Sequence, residues 1–146
     1  MTYTIKEVAA KTGLSAYTLR FYDKKGLLPF VARDESGYRA FTDGDLNLLH
    51  TICCLKDTGM KIDDIRSYIE AVMAGPQTVD TRQALLTEHR QAVEDEIAKL
   101  QRNLEEVDYK LAMYSAPDAT ERVATEYNMA QMEKIALKLP NPYVKQ

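Results

Sequence analysis

The chain has no tryptophan and only two cysteines, five prolines and six glycines among its 146 residues. The cysteines are neighbours, Cys53 and Cys54, which is poor geometry for a structural bridge. No disulfide framework is expected, and a reducing, cytoplasmic setting is the default. No apolar run is long enough to span a membrane, and the opening MTYTIKEVAAK lacks the apolar centre of a secretion signal. There is no glycine-rich phosphate loop, so no cofactor is expected. A chain of this length makes one domain of ordinary size with an appendage, and it can bury a core without covalent crosslinks.

What is present is unevenly distributed. The net charge is -3, which looks unfavourable for a polyanionic partner. Residues 1–42, however, hold seven Lys and Arg against four acids, a net +3. The remainder holds twelve against eighteen, a net -6. A basic first third ahead of an acidic remainder points to a nucleic-acid contact at one end.

Start and stop signals parse that basic third. Thr4 and Glu7 in TIKE have the spacing of a capping box, opening a helix that Gly13 ends. Ser15 caps a second helix that runs to Gly26, with Pro29 forbidding its continuation. Helix, short glycine turn and helix is the helix-turn-helix arrangement. In FVARDESGYRAF the period changes, and Asp34-Glu35-Ser36-Gly37 reads as the turn of a small hairpin. A third helix opens at Thr42 and continues to Gly59. A fourth begins near Ile62, with Asp63 and Asp64 at its positive end, and stops at Gly75-Pro76.

From Asp80 to Tyr114 there is no Gly or Pro, and apolar residues recur every seven positions. Leu86, Val93, Leu100, Val107 and Tyr114 form one set; Ile97, Leu104 and Leu111 form the other, with Arg90 where its first member would stand. The sets lie three and four residues apart, as coiled-coil seam positions do. At 1.5 Å per residue the rod is about 50 Å long. Such a narrow stripe needs a partner helix, and a second copy of the chain supplies one most simply. The alternative is a rod that folds back on its own domain. Past Pro117, residues 119–138 read as another helix of weak amphipathicity, and 139–146 as a disordered end.

The stretch SAYTLRFYDKKGLLP carries the sharpest signal. Wound as a helix, Ala16, Leu19, Tyr22 and Leu27 share an inward stripe, leaving Tyr17, Arg20, Phe21 and Lys24 outward with Thr18 beside them. Aromatics interleaved with cations suit a groove: Arg20 can fork onto guanine or clamp a phosphate, Lys24 suits a phosphate, and Phe21 can pack on sugar or a thymine methyl. For Phe21 alone, packing against the hairpin is a competing reading.

The run of helix-turn-helix, LRFYDKKGLLP, SGYRAF and TDGDL resembles the MerR family of bacterial transcription regulators over residues 3–75. Phe41 stands where that family usually has Tyr. The resemblance implies a mainly α fold: a winged helix-turn-helix DNA-binding domain over 1–75, a dimerisation helix over 80–114 forming an antiparallel coiled coil, and a tail over 115–146. It also implies a homodimer on double-stranded promoter DNA, bending and untwisting it for RNA polymerase, with no enzyme activity. Arg20, Phe21 and Tyr22 match recognition-helix contacts, Tyr38 and Arg39 match wing residues, Thr4 and Lys6 match the start of the first helix, and Lys56 matches a later phosphate contact. Since the helical wheel turns Tyr22 inward, only its hydroxyl is expected to reach a phosphate.

In HTICCLKDTGM, Cys54 falls where a subgroup similar to the aldehyde, formaldehyde and nitric-oxide responders carries a reactive cysteine. No cysteine follows Cys54, so the metal and iron–sulfur sensors of the family are not matched. His50, one helical turn before Cys54, and nearby Lys56 are placed to favour the thiolate. Ordinary helix packing is the competing reading for both cysteines, more so for Cys53. Two further readings stay open. One is a regulator whose effector is a small apolar ligand near Tyr68, Tyr109, Tyr114 and Tyr127; the other, more distant, is a thiol enzyme using His50 and Cys54.

Overall fold

The computed structural model describes residues 1–145. The chain divides into two compact units, Met1–Asp95 and Glu96–Gln146.

In the first unit, α1 (Ile5–Thr12) opens with the expected box. Thr4 Oγ1 accepts from the Glu7 amide at 3.2 Å, and the Glu7 carboxylate accepts from the Thr4 amide at 3.1 Å. Each bond satisfies a backbone donor that the helix itself leaves orphaned. Helix α2 (Ala16–Lys24) is capped by Ser15, whose hydroxyl accepts from the Thr18 amide at 3.0 Å. Strands β1 (Ala32–Arg33) and β2 (Arg39–Ala40) pair antiparallel as the wing. Asp34 organises the wing turn, its carboxylate accepting from the amides of Ser36 and Tyr38 at 2.9 Å each. Gly37 completes the turn at φ 83°, a conformation that strains any side chain. Reciprocal backbone bonds between Tyr3 and Phe41, 2.8 and 2.9 Å, then tie the wing to the chain just before α1.

Helix α3 (Asp43–Asp57) opens at Thr42 as expected, with a second capping box formed by Thr42 and Asp45, so the buried Asp45 carboxylate is held by a backbone amide. Helix α4 (Ile62–Ala74) follows, then a 3-10 turn (Pro76–Thr78) and α5 (Val79–Tyr114), which begins in the first unit and ends in the second.

The core of the first unit joins Val8, Leu19, Leu27, Phe41, Ile52 and Ile65, all fully buried, with Tyr22 beside them. Phe41 explains its own departure from tyrosine. Its ring is completely enclosed, where a hydroxyl would need a partner.

In the second unit, α5 turns through Ser115–Asp118 into α6 (Ala119–Ala136), with Met113 buried at the bend. Of the stretch 139–146, expected to be disordered, residue 146 lies outside the described residues and the part through Tyr143 packs back on α6. Asn141 donates to the Gln131 side chain at 3.1 Å, and the Tyr143 ring meets Tyr127 edge-on at 5.4 Å with Lys134 over its other side. These polar and aromatic partners lie ten and sixteen positions away, beyond the reach of local pattern. Among the described residues no helix is long and apolar enough to cross a membrane.

Candidate nucleic-acid interface

The outward face of α2 is as the helical wheel requires. Tyr17 is 78% exposed, Arg20 and Lys24 are exposed, and Phe21 lies at the margin. Arg20 and Lys24 make no hydrogen bond or ion pair among the described residues, so both cations are free for an incoming anion. Phe21 is tilted against Tyr22 at 6.3 Å, and Lys25 Nζ stands 5.6 Å from its ring centre. Thr18 accepts from the Ser15 hydroxyl at 2.9 Å, which commits it to the helix start.

Tyr22 is only 3% exposed. Burial, then Cys53 and Asp57 nearby, raises its phenol pKa above the ordinary value, keeping it protonated. No buried side-chain oxygen lacks a partner among the described residues, and the Tyr22 hydroxyl makes no hydrogen bond. The sliver of Tyr22 that meets solvent therefore includes that hydroxyl. The ring points inward while its hydroxyl reaches solvent.

The wing adds the second half of the surface. Tyr38 is exposed at its tip. Arg33 and Arg39 stand directly opposite each other on the two strands, an arrangement of like charges that is destabilising by itself. Asp23, reaching from α2, answers both: Arg39 Nε donates to its carboxylate at 2.7 Å and Arg33 Nη2 lies 3.6 Å away. Arg33 also donates to the Gly37 carbonyl at 2.8 Å. The Arg39 bond is mostly shielded and is the stronger of the two, on the order of 1.5–3 kcal/mol for a charged hydrogen bond; the exposed Arg33 pair contributes little. Asp23 thus fastens the wing to the recognition helix.

Sequence reading overlooked both Asp23 and Arg33. Arg33 could have been found, since it flanks the hairpin turn opposite Arg39. Asp23 could not, because its partners lie ten and sixteen positions on.

Together these elements surround a cavity of about 390 Å³ lined by Thr4, Ile5, Arg20, Arg33, Asp34, Gly37, Tyr38 and Arg39. The start of α1, with its outward amides, the recognition helix and the wing converge there. Lys6 is exposed on the first turn of α1, and Lys56 is exposed on the last turn of α3.

The two cysteines differ. Cys53 is partly enclosed and packs against the core. Burial, then Asp57 and Cys54, pushes its thiol pKa up. Cys54 is exposed, with Sγ 3.7 Å from His50 Nε2. Its carbonyl accepts from the Thr58 hydroxyl at 2.7 Å, and that hydroxyl in turn meets His89 Nε2 of α5 at 2.7 Å. His89 was not read from sequence, because only folding brings α5 to the end of α3. Among the described residues no three His, Cys, Asp or Glu side chains are grouped to hold a metal ion.

The seam residues of α5 lie along one uncovered stripe. Leu86, Ile97, Leu100, Leu104, Val107, Leu111 and Tyr114 are exposed, Leu100 by 58%, and Val93 is half-buried. Of the tyrosines considered for a ligand, Tyr68 packs on the core of the first unit. In the second unit, Tyr109 lines a groove of about 310 Å³ with Met113, Arg122, Thr125 and Glu126, Tyr114 is exposed, and Tyr127 faces Tyr143.

Residues 3–72 match the family described as MerR HTH family regulatory protein, and residues 46–109 match that described as MerR, DNA binding. An uncharacterized HTH-type transcriptional regulator of Haemophilus influenzae is 49% identical over 119 residues, 82% of this chain and 88% of that one. Among solved structures, HiNmlR, described as a MerR family regulator lacking the sensor domain and bound to promoter DNA, aligns with a TM-score of 0.73 at 50% identity, covering 78% of this chain and 90% of that one. A MerR family transcriptional regulator from Bacillus thuringiensis aligns with a TM-score of 0.72 at 38% identity, covering 78% and 100%.

Proposed function

Because the chain belongs to the MerR family and is a DNA-binding transcription regulator rather than an enzyme, we propose that two copies, joined along α5, grip one promoter duplex. Residues 1–75 bind DNA, 80–114 dimerise and 115–146 form a tail. In each copy α2 lies in the major groove, with Tyr17 and Arg20 at base edges and Lys24, Phe21 and the Tyr22 hydroxyl along the backbone. Tyr38 and Arg39 of the wing, Thr4 and Lys6 at the start of α1, and Lys56 take neighbouring phosphates. The observation that carries this reading is the pair of unpartnered cations on α2 beside a cavity rimmed by wing arginines. A relative described as bound to promoter DNA supports it.

Within this reading, the dimer bends and untwists its site so that RNA polymerase meets both promoter elements in register. Such deformation costs about 1–6 kcal/mol, which the phosphate contacts must offset. Footprinting of a promoter fragment across a salt series tests it. Protection of two half-sites with a steep loss of affinity as salt rises is expected; protection of one half-site, or none, overturns the dimeric reading.

The effector proposed is an electrophile or oxidant met by Cys54 in the cytoplasm. The Cys54 thiolate adds to an aldehyde carbonyl carbon while His50 accepts the thiol proton, and the new oxygen is protonated from solvent. The exposed sulfur beside an imidazole supports this. Cys54→Ala should keep DNA binding and lose induction. Full induction by aldehydes and oxidants in that variant removes the cysteine from the account.

A second reading rests on a cleft of about 210 Å³ in the first unit, where Met60, Lys61 and Asp64 face Leu85, Glu88 and His89 of α5. A small ligand held there would act on the same junction. Thermal stabilisation of a cysteine-free variant by a metabolite would favour it.

A further inference from the structure

The junction between α4 and α5 is held by side chains that follow the bend, Arg82 foremost among them. Helix α4 has no basic residue in its last turn, so its final carbonyls face no cation of their own helix. Arg82, on the second turn of α5, supplies one. Its Nη2 donates toward the carbonyls of Gly75 at 2.9 Å, Val72 at 3.3 Å and Ala71 at 3.4 Å, and its Nε donates to Thr78 Oγ1 at 2.9 Å. The Thr78 hydroxyl lies within 2.6 Å of the Ala71 carbonyl and 2.7 Å of that of Gly75. The Gln77 amide donates to the carbonyl of Ala74.

Orphaned carbonyls at a helix end are normally met by water or by a local cap, and a cation there also complements the helix dipole. Here the cation comes from the next helix, across a sharp bend, while Thr78 and Gln77 of the intervening 3-10 turn meet further carbonyls. Gly75 makes that bend at φ 106°, and a Cβ on it would fall 2.9 Å from the Gln77 side-chain oxygen. A planar guanidinium that reaches several fixed acceptors holds an orientation that a flexible ammonium would not.

We propose that Arg82 is a positioning residue for DNA recognition: it sets the direction in which α5 leaves the DNA-binding module, and so the separation at which two modules meet one duplex. The inference rests on the dimeric reading above, because separation has meaning only for paired modules. Arg82 touches no DNA in it. Its removal should leave each module competent and spoil their simultaneous engagement.

The test uses the full chain and a duplex selected by it from a randomised pool, together with the same duplex cut to one half-site. Derivatives with one or two base pairs inserted or removed at the centre complete the set. Arg82→Ala is expected to remain dimeric by sedimentation and to bind the half-site like the parent. On the intact duplex it should lose affinity by about ten-fold or more, as geometry that forbids simultaneous engagement removes avidity. Its preference for one spacing should flatten, and Arg82→Lys should restore little. Thr78→Val, which removes the hydroxyl under the guanidinium, should flatten the preference in the same direction and carries the test if Arg82→Ala does not fold. A variant with the parent's sharp spacing preference overturns the proposal. A parent chain that binds one half-site as tightly as two overturns the dimeric reading and this inference with it, whereas a parent that prefers one spacing and an Arg82→Ala that shares it overturns this inference alone.

Discussion

Helices α2 and α5 both leave a face uncovered, and the two faces are chemically opposite. On α2 the uncovered residues are cations and aromatics, Arg20 and Lys24 with Tyr17, on a helix whose other side is sealed by Leu19 and Tyr22. On α5 they are Leu, Ile and Val at seven-residue intervals, most of them half-exposed or more. A free cation in water is at little disadvantage, and its pairing with a polyanion is driven by counterion release. A half-exposed leucine leaves on the order of 1 kcal/mol of burial unrealised. The α2 face is therefore stable while waiting for its partner, and the α5 face is not. Under the proposed dimeric reading, copies join along α5 first and the duplex is engaged second.

The largest effect should come from reversing the chemistry of α5. Leu100→Asp puts a charge in the middle of the seam; dimers should disappear in sedimentation runs, and affinity for a two-half-site duplex should fall by roughly a hundred-fold or more. Next comes α2. Arg20→Ala should cost about 1–3 kcal/mol in binding to a selected duplex, with the melting temperature unchanged and the salt slope reduced by about one if the lost contact is a phosphate. Asp23→Asn should act differently from either. It removes no cation, so the salt slope should persist, but the wing arginines lose their shared carboxylate. Loss of sequence discrimination by a few-fold is expected in competition binding; unaltered discrimination would mean the wing is held by its own turn.

The smallest effect separates the neighbours on α3. With a mild alkylating agent, Cys54 should react well ahead of Cys53, since burial raises the Cys53 thiol pKa and shields its sulfur. Raising the pH should narrow the gap as the Cys53 thiolate begins to form. Equal rates at neutral pH, read by peptide mass spectrometry, would mean that burial does not distinguish the two sulfurs.

How legible each region was follows from the range of the forces that shape it. The caps at Thr4, Ser15 and Thr42, the wing turn at Asp34 and Gly37, and the bounds of α5 depend on residues within one turn of each other, so pattern alone locates them. The uncovered face of α2 was equally plain, because helical periodicity decides which side points outward. Contacts made across the fold were not visible. Asp23 with Arg39, Thr58 with His89, and Arg82 with the end of α4 each join residues seven to thirty-one positions apart. Tyr22 lies between the cases. Its ring was expected inward from periodicity and its hydroxyl outward from resemblance, and the two fit only because a phenol is long enough to serve both.

The claim on which most depends is that two chains act on one duplex. Sedimentation equilibrium of the chain alone and with a labelled two-half-site duplex measures it directly. The account predicts a species of twice 16.6 kDa without DNA and two chains per duplex with it. A chain that stays single at micromolar concentration, or saturates that duplex tightly as one copy, would contradict it.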